Sequence, residues 1–183
     1  KCIENALRDL GYEAKYVEMQ LYDGIQGMYN FLKTVSGKNN PLLFGRAIMI
    51  AILKVFLLDK LETKLSYYRA REIKFSDAEK RYNKALKIID ENDTLSGLKK
   101  AEKLINEEMK KVEINPDKEV LNVDITGEIY VVNDEFSNQS IEKELGRMGV
   151  QVRRSLTVSS FLKDAIIPKM FRKGETHLQR ADR

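Results

Sequence analysis

The sequence has 183 residues, of which 43% are hydrophobic and 33% charged, as in one ordinary globular domain or two small ones rather than a disordered or fibrous chain. Its 32 basic and 28 acidic residues give a net charge of +4, which by itself indicates no nucleic-acid partner. The single cysteine, Cys2, and the single histidine, His177, exclude a Cys/His zinc site, an intrachain disulfide and a four-thiolate iron–sulfur cluster built from this chain alone.

The most apolar stretch, 47–58, predicts a buried core helix. It is about 12 residues long and contains Lys54, whereas a membrane-spanning helix needs roughly 20 apolar residues. The first residues contain no apolar segment of the kind found in signal peptides. We therefore expect no membrane span and a cytoplasmic protein.

The chain opens on an amphipathic pattern over residues 3–10, which predicts a helix ended by Gly11. A strand is predicted next, at Ala14–Gln20, and a helix followed closely by a strand is half of an α/β unit. We assign residues 1–30 to the first part of an α/β core. Because the pattern is helical from the start, we also expect the chain to be a fragment of a longer protein.

Residues 31–115 have little Gly/Pro punctuation and a helical period, which predicts an insertion of three or more helices. The first is expected from about Arg46 to Ala70. The second is expected to begin with a capping box at Ser76–Glu79, and the third near Asp93 or Thr94. The inward positions predicted for the last two helices are Ala78, Tyr82, Ala85, Leu86 and Ile89, then Leu95, Leu98, Ala101, Leu104, Ile105 and Met109.

Residues 116–183 predict the second part of the α/β core, a βαβ unit with a basic C-terminal tail. A strand at 120–126 is expected to continue through Gly127 and Glu128 into 129–132. A polar loop then leads to a helix carrying Ile141, Leu145 and Met148, which Gly149 ends before a strand at 150–152. A last helix, around 161–171, is expected to be capped by Ser159 or Ser160.

Strand, helix and strand in this order favour a right-handed parallel crossover. The predicted fold class is therefore α/β, with a Rossmann- or flavodoxin-like parallel βαβ core interrupted by the helical insertion.

The loop after Thr126 is the best candidate for a ligand site, because ligands of open parallel sheets bind at the carboxyl ends of the strands. Its polar residues or close-approach positions are Gly127, Glu128, Asn133, Asp134, Ser137 and Asn138. The alternative is local: Ser137 or Asn138 caps the following helix and Asp134 complements its dipole. No glycine-rich dinucleotide or phosphate motif is present.

Other candidates have an ordinary structural interpretation beside the functional one. Arg69 and Arg71 could form a fork for an anion, but side chains at i and i+2 diverge on a helix, which favours a solvated helix end. His177 has no adjacent acid–base partner except Glu175, and Cys2 is expected to be a small buried hydrophobe. A C-terminal basic run could meet an anionic cofactor or partner, or form a solvated tail: Lys169, Arg172, Lys173, Arg180 and Arg183.

Several segments resemble, in order, a family of bacterial proteins related to the D-component of 2-hydroxyglutaryl-CoA dehydratase. These proteins are often fused to or encoded beside a CoA-substrate-specific enzyme activase. The most specific segment is Thr-Gly-Glu-Ile-Tyr-Val, 126–131, with its continuation to Asn138. The others are 6–12, the end of the apolar helix at 69–72, 82–86 and 142–150. Relatives tend to have Pro where Glu72 stands here.

The resemblance implies one component of an anaerobic two-part system. In that family an actin-like ATPase passes a low-potential electron to a cysteine-ligated [4Fe-4S] protein, which removes water from a 2-hydroxyacyl-CoA or performs another difficult reduction. The cluster cysteines are expected outside this sequence, and Cys2 matches no cluster position, so no catalytic or metal-binding residue is assigned. Expected partners are the activator ATPase or a sister domain, and a CoA ester. The alternative is a non-catalytic scaffold or interaction module that docks the ATPase or a partner subunit.

Overall fold

The computed structural model describes residues 2–12 and 24–168. They form eight α-helices and one two-stranded parallel sheet, followed by a π-helical turn at Leu162–Ile166. The helices are α1 (Cys2–Asp9), α2 (Gly24–Ser36), α3 (Pro41–Arg71), α4 (Asp77–Asp90), α5 (Leu95–Met109), α6 (Ile129–Asn133), α7 (Ile141–Arg147) and α8 (Val158–Phe161). The strands are β1 (Leu121–Ile125) and β2 (Val150–Arg154). The chain is thus mainly helical with a small α/β element.

The chain divides into two compact units, one formed by Ala47–Leu162 and the other by the flanking residues on both sides. In the flanking unit, α1 forms where the amphipathic pattern predicts it. Gly11 follows it with φ +80°, the left-handed conformation that glycine adopts without a steric penalty. The predicted strand Ala14–Gln20 lies outside the described residues. The proposed ranges 1–30, 31–115 and 116–183 stay a prediction.

The core of the central unit forms between α3, α4 and α5. Three core side chains with no exposed surface are Leu61 of α3, Ala85 of α4 and Met109 of α5. On α5 the buried apolar positions are Leu98, Ala101, Ile105 and Met109, a spacing of three or four residues that keeps one stripe toward α3 and α4. The prediction that Leu95 and Leu104 face inward is wrong, because both lie beside that stripe and are exposed.

Helix α3 is longer and more exposed than the sequence pattern predicts. It has 31 residues, and an 18-residue window with a mean hydropathy of 2.1 is only 17% buried. By length and composition alone this helix could cross a membrane. The expectation that the stretch 47–58 is buried is therefore wrong, since Met49 and Leu53 are exposed, whereas the helix predicted from about Arg46 to Ala70 lies within α3. Lys54, which interrupts the apolar sequence, contacts Asp93 at 2.7 Å in the turn between α4 and α5.

The helix caps confirm one prediction and correct two. Helix α5 begins where expected, and Thr94 caps it, its hydroxyl accepting a bond from the Gly97 N–H at 3.0 Å. Ser76 forms no capping box at α4, because it has a left-handed backbone and no side-chain bond. The carboxylate of Glu72 replaces it and accepts bonds from the N–H groups of Ser76 and Ala78, both at 2.8 Å.

The second correction concerns the last described helix, α8. Its cap is Thr157 rather than Ser159 or Ser160, and the Ser160 hydroxyl completes the capping box from the third position of the helix. This helix has only four residues before the π-helical turn begins.

The predicted βαβ unit is confirmed as a parallel pair. Leu121 is opposite Val150, and the register continues to Ile125 opposite Arg154. Between the strands, Gly149 ends α7 with φ +81°. The expected continuation of the first strand through 129–132 is wrong, because the chain turns after Ile125 and residues 129–133 form α6.

Helix α3 holds the sheet through one buried side chain. The Ser66 hydroxyl accepts a hydrogen bond from the Val152 N–H at 3.0 Å and donates one to the Val152 carbonyl at 2.5 Å. Ser66 and Val152 are both buried. These two bonds satisfy the N–H and carbonyl groups of Val152, at the midpoint of β2, and fix the strand against α3.

Candidate functional site

The turn at the carboxyl end of β1 begins with the predicted residues Gly127 and Glu128. The Glu128 carboxylate accepts hydrogen bonds from the N–H groups of Tyr130, at 2.8 Å, and Val131, at 3.2 Å, and so caps α6. A Cβ added at Gly127 would lie 3.3 Å from a methyl carbon of Val132, so the turn packs closely on α6. Both residues therefore shape the turn.

Asp134 and Ser137 form a local hydrogen-bonded turn after α6. The Asp134 carboxylate accepts a bond from the Ser137 N–H at 3.0 Å and a second from the Ser137 hydroxyl. These bonds lower the pKa of Asp134 below its ordinary value. The Asp134 carboxylate therefore binds its own segment. The expected cap of the following helix by Ser137 or Asn138 is wrong, because Ser140 is at the N-cap position of α7 and no side chain caps that helix.

Asn133 and Asn138 are the two predicted residues that face a cavity. The Asn133 amide donates to the carbonyl of Ile129 at 2.8 Å, and its oxygen accepts a bond from Arg154 at 3.2 Å. The Asn138 amide donates to the Val132 carbonyl at 3.0 Å. Both side chains thus connect the α6 segment to the cavity wall.

The cavity has a volume of about 300 Å³ and lies wholly within the central unit. Its wall comes from α3, α4, the segment after α6, the start of α7 and the end of β2. Its charged, phenolic and amide side chains include Glu62, Arg69, Glu79, Tyr82, Asn133, Asn138, Glu142 and Arg154. Of the six predicted site residues, the structure brings only Asn133 and Asn138 to this wall. Gly127 and Glu128 stay in the turn before α6, and Asp134 and Ser137 in the turn after it.

Arg154, the last residue of β2, is at the centre of the cavity's ion network. Its guanidinium contacts Glu62 of α3 at 2.5 Å. It also binds both carboxylate oxygens of Glu142 on α7, one of them at 3.1 Å. With the bond to Asn133, this one side chain joins α3, α6 and α7 to the sheet.

The cavity shifts the titration of two groups on its wall. Burial raises the pKa of Glu62, although the neighbouring Arg154 charge opposes the shift. Burial, helped by the negative charge of Glu62, raises the pKa of Tyr82 to about 12. At neutral pH Tyr82 therefore keeps its proton and can act as a hydrogen-bond donor.

Arg69 is buried in the wall, which corrects the expectation of a solvated helix end. Only 9% of its side chain is exposed, and it contacts Glu79 of α4 at 2.5 Å. Gly146 makes this position possible, since a Cβ there would collide with Arg69 Cδ and lie 2.9 Å from Cγ. The two arginines form no common fork. Arg71 instead stacks on Tyr67, with 4.1 Å to the ring centroid, and donates to Gln151 at 2.6 Å.

The arrangement is suited to holding a polar group rather than to nucleophilic catalysis. Arg154 and Arg69 each have a carboxylate partner, so the charges are fixed in place and largely compensated. A carboxyl group with a raised pKa and a protonated phenol supply hydrogen-bonding groups at one wall. The wall contains neither cysteine nor histidine.

Sequence reasoning missed the four charged or phenolic residues that define the cavity: Glu62, Tyr82, Glu142 and Arg154. Arg154 could have been found from the sequence, because it lies at the carboxyl end of a parallel strand. Ligands of open parallel sheets bind at that end, which is also the reason for selecting the 127–138 loop. The sequence contains no comparable signal for Glu62 and Tyr82, since both fit the ordinary pattern of a helix face. His177 and the basic run from Lys169 to Arg183 lie outside the described residues, as does the side chain of Cys2.

No protein family, curated protein or solved structure was found to match this chain. Within residues 2–12 and 24–168, no group of three or more His, Cys, Asp or Glu side chains is placed to hold a metal ion.

Proposed function

We propose that this chain is a domain of a 2-hydroxyacyl-CoA dehydratase-like iron–sulfur protein of the CoA-substrate-specific enzyme activase group. That protein takes part in ATP-driven low-potential electron transfer. The domain contributes a wall of the substrate or cluster pocket. One observation carries the proposal. The segment 126–131, the most specific part of the family resemblance, forms the turn at the carboxyl end of β1 and the start of α6, and this end of a parallel strand is where α/β proteins bind ligands.

The cavity next to this turn supports a binding role. Asn133 and Asn138 belong to the same resembling segment and line it. A volume of about 300 Å³ is at the small end for ligand sites, so it suits one polar portion of a larger ligand such as a CoA ester. The residues present do not fit a [4Fe-4S] cluster, because four thiolates are required and the sequence has one. The cluster is therefore assigned to cysteines outside the sequence.

The finer fold belongs to the same proposal. The pair β1–β2 with its helical crossover is one βαβ unit of a Rossmann- or flavodoxin-like core. The parallel register and the crossover through α6 and α7 support this arrangement. Further parallel strands would be needed to complete it.

The test uses the full-length protein, purified without oxygen. We expect iron and acid-labile sulfide in near-equal amounts and a broad visible absorption that bleaches on reduction. As a matched pair, Asn138→Ala and the exposed-position variant Ser137→Ala are compared for reduction of the cluster in the presence of CoA esters. Absence of iron and sulfide from the anaerobic protein would overturn the proposal.

A second candidate function, a module that docks the activator ATPase or a partner subunit, is favoured by the exposed apolar surface of α3. Met49 and Leu53, in the part of this helix that belongs to the central unit, are exposed, and exposed apolar surface of this kind is typical of interaction sites. We expect this chain to retain the activator in a pull-down with ATP, and Met49→Lys to weaken retention. If the full-length protein binds the activator while this chain does not, the docking function lies elsewhere.

A further inference from the structure

The cavity of the central unit is lined by nearly equal numbers of acidic and basic side chains. Four carboxyl groups and three basic groups contribute to its wall: Glu62, Glu79, Glu135 and Glu142, with Arg69, Lys143 and Arg154. Burial raises the pKa of Glu62, and its protonation leaves three charges of each sign. Arg69 and Arg154 already bind carboxylates. A charged ligand of either sign would therefore gain little attraction here, although it would still lose its hydration.

Two buried polar atoms of this wall have no hydrogen-bond partner within the described residues. The Asn138 amide group donates to the Val132 carbonyl at 3.0 Å, which fixes the orientation of the amide, and its oxygen is unpaired. Arg69, only 9% exposed, donates from its terminal nitrogens to Glu79 and Glu142, and its Nε–H is unpaired. One atom is an acceptor and the other a donor. Because an unpaired buried polar group is costly, both favour a ligand that supplies the missing partner.

Tyr82 adds a hydroxyl group to the same wall. Its side chain lines the cavity, and no described residue forms a hydrogen bond with the hydroxyl. Because the pKa of Tyr82 is raised to about 12, the phenol keeps its proton at neutral pH and can donate it to an acceptor. The buried Leu65 also lines the cavity and offers an apolar contact. The wall thus combines donors, an acceptor and an apolar side chain around one small space.

We propose that the cavity binds an uncharged amide group, whose N–H is directed to the Asn138 oxygen and whose carbonyl accepts a bond from Tyr82. An amide has a donor and an acceptor on neighbouring atoms, so it satisfies both kinds of wall group at once. A carboxylate or a phosphate satisfies only the donors, and an ammonium ion satisfies only the acceptor. The two arginines therefore do not make this cavity an anion site, because their charges are already compensated.

The amide can come from the pantetheine arm of a CoA ester or from a separate small amide. Both sources present the same N–H and carbonyl groups. A volume of about 300 Å³ accommodates one such group rather than a whole coenzyme, so the phosphates of a CoA ester lie outside the cavity. The assignment rests on the proposed function for the first source only.

The test compares three small molecules of one shape and different charge: acetamide, acetate and the acetamidinium ion. Each is titrated at constant ionic strength into the isotopically labelled chain, and the NMR signals of the Asn138 side chain and the 133–142 backbone are followed. We expect acetamide to bind with a dissociation constant on the order of 10 mM, because a ligand of four heavy atoms binds weakly. Both ions should bind at least about tenfold more weakly, because each must lose its hydration.

Two matched variants test the contact with the phenol. Tyr82→Phe keeps the ring and removes the donor, so it should weaken acetamide binding about fivefold. Tyr67→Phe is the same change on α3 at a residue that does not line this cavity, and it should leave the binding unchanged. Thermal unfolding of both variants verifies that each is folded at the temperature of the titration.

Pantetheine and CoA distinguish the two sources of the amide. If both shift the same signals and lose affinity in Tyr82→Phe, the amide belongs to a CoA ester. If acetamide alone binds, the assignment of the cavity stands and the proposed function loses its support from this site. Three results would overturn the assignment, whatever the iron and sulfide content of the full-length protein: no shift with acetamide at about 100 mM, an ion that binds as tightly as acetamide, or equal affinities in the two variants.

Discussion

Arg154 is the residue whose replacement tests the described architecture most directly. It joins Glu62, Asn133 and Glu142 from three helical segments. The variant Arg154→Met keeps most of the side-chain volume and removes the charge. Two carboxylates then remain in a partly buried wall without their cation, and the sheet loses its link to α3, α6 and α7.

The magnitude follows from the burial of the three groups. Removing one partner of a fully buried ion pair costs about 3–5 kcal/mol, because an uncompensated charge is left behind. Here the exposed fractions of the side chains are 17% for Arg154, 32% for Glu62 and 19% for Glu142. Water therefore screens part of the loss, and we expect the free energy of unfolding to fall by about 2–3 kcal/mol.

The assay is urea unfolding followed by circular dichroism at pH 7, with a neighbouring residue as control. Arg153 lies next to Arg154 on β2 and pairs with Asp124, but 61% and 57% of these two side chains are exposed. Arg153→Met should therefore cost less than about 1 kcal/mol. A loss in Arg154→Met no larger than in the control would refute the reasoning that the network is buried and connects the segments.

The pH dependence of the same variant gives a second test. Burial raises the pKa of Glu62 in the folded state, and a raised pKa means that the folded state binds the proton more readily than the unfolded one. The contribution of Glu62 to stability is present below its ordinary pKa and is lost as the pH rises through the raised one. In Arg154→Met the opposing positive charge is gone, so the pKa of Glu62 rises further. The stability that this variant loses relative to the unsubstituted chain should therefore be smaller at pH 4, where Glu62 is protonated more fully, than at pH 7.

Two further predictions concern α5 and α7. Hydrogen bonds from Lys111 and Arg81 lower the pKa of Glu108 to about 2, so its contribution to stability is present above pH 4.5 and lost as the pH falls toward 2. Glu108→Gln should cost about 1–2 kcal/mol at pH 7 and flatten the loss of stability in acid, measured by urea unfolding across that range. The exposed neighbour Glu107→Gln should do neither, and equal acid slopes in both variants would contradict the assignment. Gly146→Ala should lower the free energy of unfolding by about 1–3 kcal/mol, because the added Cβ meets the buried Arg69 side chain. Gly45→Ala, in a helical position with no atom within 4 Å, should instead stabilise the protein by about 0.5–1 kcal/mol. Thermal unfolding of the two variants side by side checks the opposite signs.

The helices α1, α3, α4, α5 and α7 and their order could be predicted because the signals are local, whereas α2 was not predicted and α6 was expected to be a strand. Apolar residues every three or four positions predict α4 and α5, Gly11 and Gly149 mark two helix ends, and alternation around Val123 indicates a strand. The parallel pair also followed from the order of its elements. These features depend on residues within a few positions of each other.

Local signals were insufficient where two groups of similar chemistry competed. Ser76 has the right type and spacing for a cap, yet Glu72 reaches the same N–H groups from the preceding helix with a charged acceptor. Leu104 has the apolarity of a core residue but lies beside the buried stripe. In both cases the residue type indicated a possible role, a helix cap for Ser76 and a core position for Leu104. The packing of the neighbouring element decided whether the residue takes that role.

The sequence by itself determined the helices α1, α3, α4, α5 and α7, the βαβ order and the polar character of the segment after β1. Only the tertiary structure decided which polar side chains share a cavity. Arg154 and Glu62 are 92 residues apart in the chain and come into contact at 2.5 Å only because Ser66 fixes β2 against α3. Helix periodicity and capping act over a few residues, whereas a buried ion network requires that distant elements pack first.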